Sequence, residues 1–227
     1  MAKIKGTVQQ TSVQHVSEGA EAYLRMLRDG SISMVDFIQA SIFEGLGYMT
    51  FEGAFSTPAA GGGAAAVIDA DRPNLTLGIP DGTTILPFRI ACQALTPLLA
   101  TDADEAEILV GVHVGTKITV AGATALYPRS LKTGAAAGSL CDAQKTHTTN
   151  IATSPTLEIE LARAIAVGDM NGTPANALWG HLDLLYEPKH VVPVKGPSTL
   201  ILYHGGTVAT TAFSQFFWIE APSTYFT

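Results

Sequence analysis

Beyond residue 73, apolar residues recur at every second position and Gly or Pro closes each run, the mark of half-buried strands joined by tight turns. Leu75, Leu77 and Ile79 share one face of a predicted strand over 74–79. Pro80-Asp81-Gly82-Thr83 then predicts a turn, because proline presets φ and glycine takes a positive φ without strain. A strand over 84–94 follows, in which Pro87 has no amide proton to donate and predicts a sheet edge or a bulge. Further strands are predicted over 107–114, 117–120, 177–186, 199–203 and 213–220, with Gly205-Gly206 as a hairpin turn between the last two. The segment 156–167 alternates most cleanly: Leu157, Ile159 and Leu161 face one way, Glu158 and Glu160 the other, and the alternation slips at Ala162. Its Ala, Leu and Glu content also suits a helix, but the period of two and Pro155 ahead of it favour a strand.

Ahead of residue 73 the pattern is mixed. From Ser17, SEGAEAYLRMLRDG predicts a helix over 17–30. Ser17 caps it, Glu18 and Glu21 sit at the positive end of its dipole, and Leu24 and Leu27 repeat at helical spacing. Arg25 and Arg28 lie at the negative end, and Gly30 stops it. Val35, Phe37 and Ile42 then suit a strand or a short amphipathic helix, and 48–55 alternates as a strand. Residues 57–66, TPAAGGGAAA, have no side chain able to anchor them and predict a loop within one domain. Residues 121–155 are rich in Ala, Gly, Ser and Thr and show little periodicity. At that length they predict either a further element or a surface loop that a partner covers.

Composition narrows the class. Apolar residues make up 47% of the 227 residues and charged residues only 15%, against roughly 25% charged in an average globular domain. That balance excludes a mainly disordered chain. No run approaches the ~18–20 apolar residues of a membrane-spanning helix. A net charge of −7, with no Lys/Arg cluster beyond Lys3 and Lys5, argues against strong nucleic-acid binding. Cys92 and Cys141 have no zinc-site spacing; a disulfide between them stays open, with two buried free thiols the preferred reading. The basic N-terminus is not followed by the apolar stretch of a secretory signal.

Candidate chemistry is sparse. His181-Leu182-Asp183 would place two ligands on one strand face, with Glu187 and His190 close in sequence, a partial set for a divalent ion. No third ligand is set by spacing, so a solvated strand face is the favoured reading. Glu158 and Glu160 could form a glycosidase-like pair, but they fit better as a solvent-facing row. Asp102-Ala103-Asp104-Glu105 lacks EF-hand spacing, and Gly61-Gly62-Gly63 runs into alanines rather than the Lys-Ser/Thr of a phosphate loop. No nucleophile motif is present. No catalytic residue, cofactor or metal site is therefore assigned, and an enzyme is not expected. The last strand differs in kind. Phe213, Gln215, Phe217 and Ile219 fall on one face, and Phe216 and Trp218 on the other, so both faces call for cover. A two-layer sandwich covers one of them; the N-terminal segment or a neighbouring subunit would cover the other.

About eight strands after one N-terminal helix describe an all-β, antiparallel sandwich. The rows PNLTLGIPDGTTILPFRIACQ (73–93) and GPSTLILYHGGTVATTAFSQFFWIEAP (196–222) resemble viral and bacteriophage jelly-roll structural proteins, a likeness of architecture over residues 45–222. The resemblance implies a jelly-roll-like sandwich over 31–227, preceded by an arm and helix over 1–30, and a capsid subunit assembling into a symmetric shell in the virion, formed in the host cytoplasm. Its partners would be copies of itself and other virion proteins, with no catalytic residues to carry over. The chain departs from many such proteins in lacking a basic N-terminal arm, which puts direct genome contact in doubt. Tyr23, Leu24 and Leu27 of the helix and Phe216 and Trp218 of the last strand are the expected contact residues. The alternatives are an oligomeric receptor- or carbohydrate-binding module or decoration protein, with Trp179 and Tyr186 lining a groove, and a cupin-like metalloenzyme using His181, Asp183 and His190.

Overall fold

The computed structural model describes residues 36–54, 56–61, 68–95, 105–118, 123–136, 138–145, 151, 154–167, 181–207 and 210–226. The predicted helix over 17–30, with Tyr23, Leu24 and Leu27, and Trp179 lie outside these residues. The elements in chain order are α1 (Phe37–Glu44), β1 (Gly47–Glu52), β2 (Ala59–Ala60), β3 (Leu75–Ile79), β4 (Thr83–Leu95), β5 (Glu105–Val114), β6 (Thr124–Leu126) and β7 (Arg129–Ser130). They continue with β8 (Asp142–Lys145), β9 (Ile159–Val167), β10 (His181–Tyr186), β11 (Val194–Lys195), β12 (Ser198–Gly206) and β13 (Thr211–Pro222), and a 3-10 turn over Ser223–Phe226. The ambiguous segment before β1 is helical. Asp36 caps α1 by accepting a hydrogen bond from the Ile38 amide at 3.2 Å, and Gly45, at φ 89°, ends it in a left-handed cap.

Two antiparallel sheets pack face to face. One runs β10-β4-β13-β1-β7, with β11 added beside β4 and β2 beside β13; the other runs β6-β8-β3-β12-β5-β9. Among the long strands β1, β3, β4, β5, β9, β10, β12 and β13, every connection crosses from one sheet to the other except β5 to β9. Numbered one to eight, they run 6-3-8-1 in the first sheet and 2-7-4-5 in the second, the order of two Greek keys folded together as a jelly roll. The fold is thus an all-β, jelly-roll-like sandwich. The Pro80–Thr83 turn forms as expected, with the Thr83 amide donating to the Pro80 carbonyl at 3.3 Å and Gly82 at φ 77°. It is an arch between sheets, not a hairpin.

One open expectation is settled and two change. The segment 121–155 holds the further structure that its length called for, contributing β6, β7 and β8. β8 adds to β3, β6 to β8, and β7 to β1, so the insertion widens both sheets at the same edge. Gly205 and Gly206 are not a hairpin turn: they continue β12 and pair with Glu107 and Ala106 of β5, while β13 starts in the other sheet. Lys117 and Ile118 form no strand; the Ile118 amide instead donates to Thr199 Oγ1 at 2.8 Å.

Two irregularities were visible in the pattern. Pro87 lies at a register shift in the β4–β13 ladder and between the stretches of β4 that β11 and β10 cover, so its missing donor disturbs no pair on that side. The slip at Ala162 is likewise real. Ala162 pairs with Val110 and Glu160 with Gly111, leaving Leu161 as the extra residue of a bulge. The core between the sheets is built from Leu75, Leu77 and Ile79 of β3, Leu200 and Leu202 of β12, Ile90 of β4, and Phe216 and Trp218 of β13.

Candidate assembly face

A sheet in a sandwich has an inner and an outer face, and the two outer faces here are treated differently. On the six-stranded sheet, Leu109, Ile201 and Tyr203 point outward yet are buried, because Ile68, Ile118 and Leu157 from three loops pack over them. Tyr203 donates from its hydroxyl to the Ala70 carbonyl at 2.9 Å, tying one strap down. Glycines beneath the straps make this approach feasible. A Cβ on Gly111 would sit 2.9 Å from both the Ile159 carbonyl oxygen and Leu157 Cδ1, and one on Gly78 would sit 2.9 Å from Lys117 Cγ.

The outer face of the seven-stranded sheet has no such cover among the described residues, apart from one end where Ile42 of α1 lies over Gly47. The ladder registers put side chains in three rows. Met49 of β1, Phe217 of β13 and Arg89 of β4 form the first; Phe51, Gln215, Ala91 and Leu185 the second; Phe213, Gln93 and Asp183 the third. Phe51 and Leu185 are 41% and 58% exposed. Arg89 stands over the Phe217 ring at 5.6 Å and pairs with Glu187 at 3.3 Å, so its charge is engaged on the face itself. A shallow groove of about 290 Å³ runs over Ala91, where the small side chain leaves room between Phe213, Gln215 and Leu185.

Phe216 and Trp218 are not contact residues. They are fully buried against the second sheet, since strand parity turns them inward and leaves Phe213 and Phe217 outside. Tyr186 also faces inward, and burial raises its phenol pKa, so it lines no open groove. Asp183 and His190 are exposed, and Glu187 is taken up by Arg89. Among the described residues, no group of three His, Cys, Asp or Glu side chains is placed to hold a metal ion. Glu158 accepts the Val114 amide at 2.8 Å, which lowers its carboxyl pKa, while Glu160 is held low by Arg163. The two carboxylates thus serve separate surface contacts. Cys92 and Cys141 are buried free thiols, and burial pushes Cys92 up to about 12.

Buried polar groups pin the ends of the sandwich. Glu220 of β13 accepts from Ser139 Oγ and from the Leu140 amide, each at 2.7 Å, and fastens the loop before β8. At the start of β3, Asn74 Oδ1 accepts the His204 amide at 2.7 Å. His204 bonds Thr210 Oγ1 through Nδ1 at 3.2 Å, and its Nε2 has no partner among the described residues. Burial alone depresses this imidazole to about 4, which keeps it neutral.

A second cleft lies at the edge of the apolar face and shares Phe51 with it. β7 covers only Tyr48 and Met49 on the outer edge of β1, and no described strand covers Thr50–Glu52 on that side. A cleft of about 210 Å³ opens there, lined by Phe51 of β1 and Gly53 just after it, Ala125 and Leu126 of β6, Tyr127 of the crossing between sheets, Arg129 of β7 and Lys145 of β8. Neither Arg129 nor Lys145 makes an ion pair among the described residues. The sequence carried no periodicity pointing to this cleft, because its residues come from strands of two to six residues in both sheets.

No family model, curated protein or solved structure matches this chain.

Proposed function

We propose that the chain is a virion structural protein, a capsid subunit whose copies assemble into a symmetric shell. The observation that carries this reading is the contrast between the two outer faces. The chain straps its own loops over one and, among the described residues, leaves Phe51, Phe213, Phe217 and Leu185 without such cover on the other. An aromatic sheet face of this kind marks an interaction surface, and jelly rolls are a recurrent architecture of shell-forming proteins. The low charged fraction of 15% leaves little surface repulsion to oppose association. Copies of this chain are the proposed partners, with other virion proteins, in a virion assembled in the host cytoplasm. No helix among the described residues is long and apolar enough to cross a membrane. Native mass spectrometry and electron microscopy of the purified protein test the reading. Closed particles or discrete symmetric oligomers are expected; a monodisperse monomer at high concentration would rule it out.

A further inference from the structure

We infer that the cleft at the open edge of β1 is a binding site for an acidic sugar, a single ring bearing a carboxylate or phosphate. Its donors are Arg129 and Lys145, one reaching from the edge of the seven-stranded sheet and the other from the six-stranded sheet. Among the described residues, no carboxylate lines the cleft. Glu52, the nearest acid along β1, is 2% exposed and turned into the core. An anion between two cations of opposite walls gains charge-assisted hydrogen bonds without displacing an existing ion pair. The flanking surface is aromatic: Tyr127 is 77% exposed and Phe51 41%. The apolar C–H face of a sugar ring packs on such rings, whose bodies are apolar while the Tyr127 hydroxyl offers a polar tip.

Size and charge select this class over a polyanion. The cleft, at about 210 Å³, is on the scale of one ring and its substituents rather than of an extended polymer. A nucleic-acid strand brings a phosphate with every nucleotide and needs a continuous track of cations; here two cations line the cleft among the described residues, and the chain as a whole carries −7. The inference does not rest on shell assembly, since mass and particle formation are read separately from ligand binding.

Saturation-transfer NMR on the full chain tests it with three probes: sialyllactose, glucose phosphate and neutral lactose. Saturable binding of sialyllactose alone assigns the site to an acidic glycan terminus, and binding of glucose phosphate alone assigns it to a free sugar phosphate. Either result supports the inference if Lys145→Gln and Arg129→Gln each weaken it at least tenfold. Tyr127→Ala, at a side chain too exposed to matter for folding, is expected to weaken it severalfold with an unchanged unfolding midpoint. Equal binding of lactose, no saturable binding of either acid, or full affinity in both cation variants overturns it.

Discussion

The outer faces of the two sheets started from similar material and ended differently. Ile201 and Tyr203 of β12 stand outward just as Phe213 and Phe217 of β13 do, and each set alternates with an inward set in the core. Loops at 68–72, 116–118 and 154–158 close over the first set; among the described residues nothing comparable reaches the second. Covering a face takes more than apolar side chains upon it. It also takes flat positions where a loop can descend, which Gly78 and Gly111 supply on β3 and β5. On the seven-stranded sheet the matching central positions carry Arg89, Gln93 and Gln215, long side chains that line a groove over Ala91.

The contrast can be broken or sharpened by substitution, and the largest effect belongs to neither outer face. Trp218→Ala empties the inner layer shared by both sheets and is expected to cost roughly 3–5 kcal/mol in urea unfolding, whereas an equal truncation outside costs far less. Next comes acid. The folded pKa of His204 is about 4 against 6.5 for an ordinary histidine, so the unfolded chain binds the proton more tightly. Stability is therefore intact above pH 6.5 and falls as the pH drops from there to about 4. The shift converts to about 3 kcal/mol, read as the loss of unfolding free energy over that window; His204→Gln should remove most of this slope.

Smaller effects separate the outer faces themselves. Gly111→Ala drives a methyl group into the strap at Leu157 and Ile159, with an expected loss of roughly 1–3 kcal/mol. Tyr203→Phe removes the bond to Ala70 and should cost roughly 0.5–1.5 kcal/mol, with faster amide exchange around residues 68–72. On the uncovered face, Leu185→Asp should change monomer stability by less than about 0.5 kcal/mol while abolishing oligomers in sedimentation velocity. If it instead unfolds the monomer and leaves association intact, the two faces do not differ as described.

Much of the sandwich was legible because burial on one face imposes a period of two. Leu75, Leu77 and Ile79 announced β3, and the slip at Ala162 even located the bulge in β9. The strands of the 121–155 insertion were hidden for a physical reason: at two to four residues, β6, β7 and β8 are shorter than any period they could display. The binding cleft was hidden with them, since Tyr127 and Arg129 belong to that insertion. The two-sided apolar character of 213–220 called for cover on both sides; the second sheet covers the Phe216 and Trp218 side, the side that the sequence pattern placed at contacts. Parity alone does not say which side is in.

The sequence by itself determined that the chain is built mainly of strands, roughly where the longer ones lie, and that one of them has no polar side. Those properties follow from local alternation and from turn residues such as Pro80 and Gly82, which act over a few positions. Which strand neighbours which, that Phe216 and Trp218 turn into the core between the sheets, and that loops strap one outer face and, among the described residues, not the other were decided only by the tertiary structure. These depend on contacts between residues more than a hundred positions apart, as between Tyr203 and Ala70, and no local pattern encodes them.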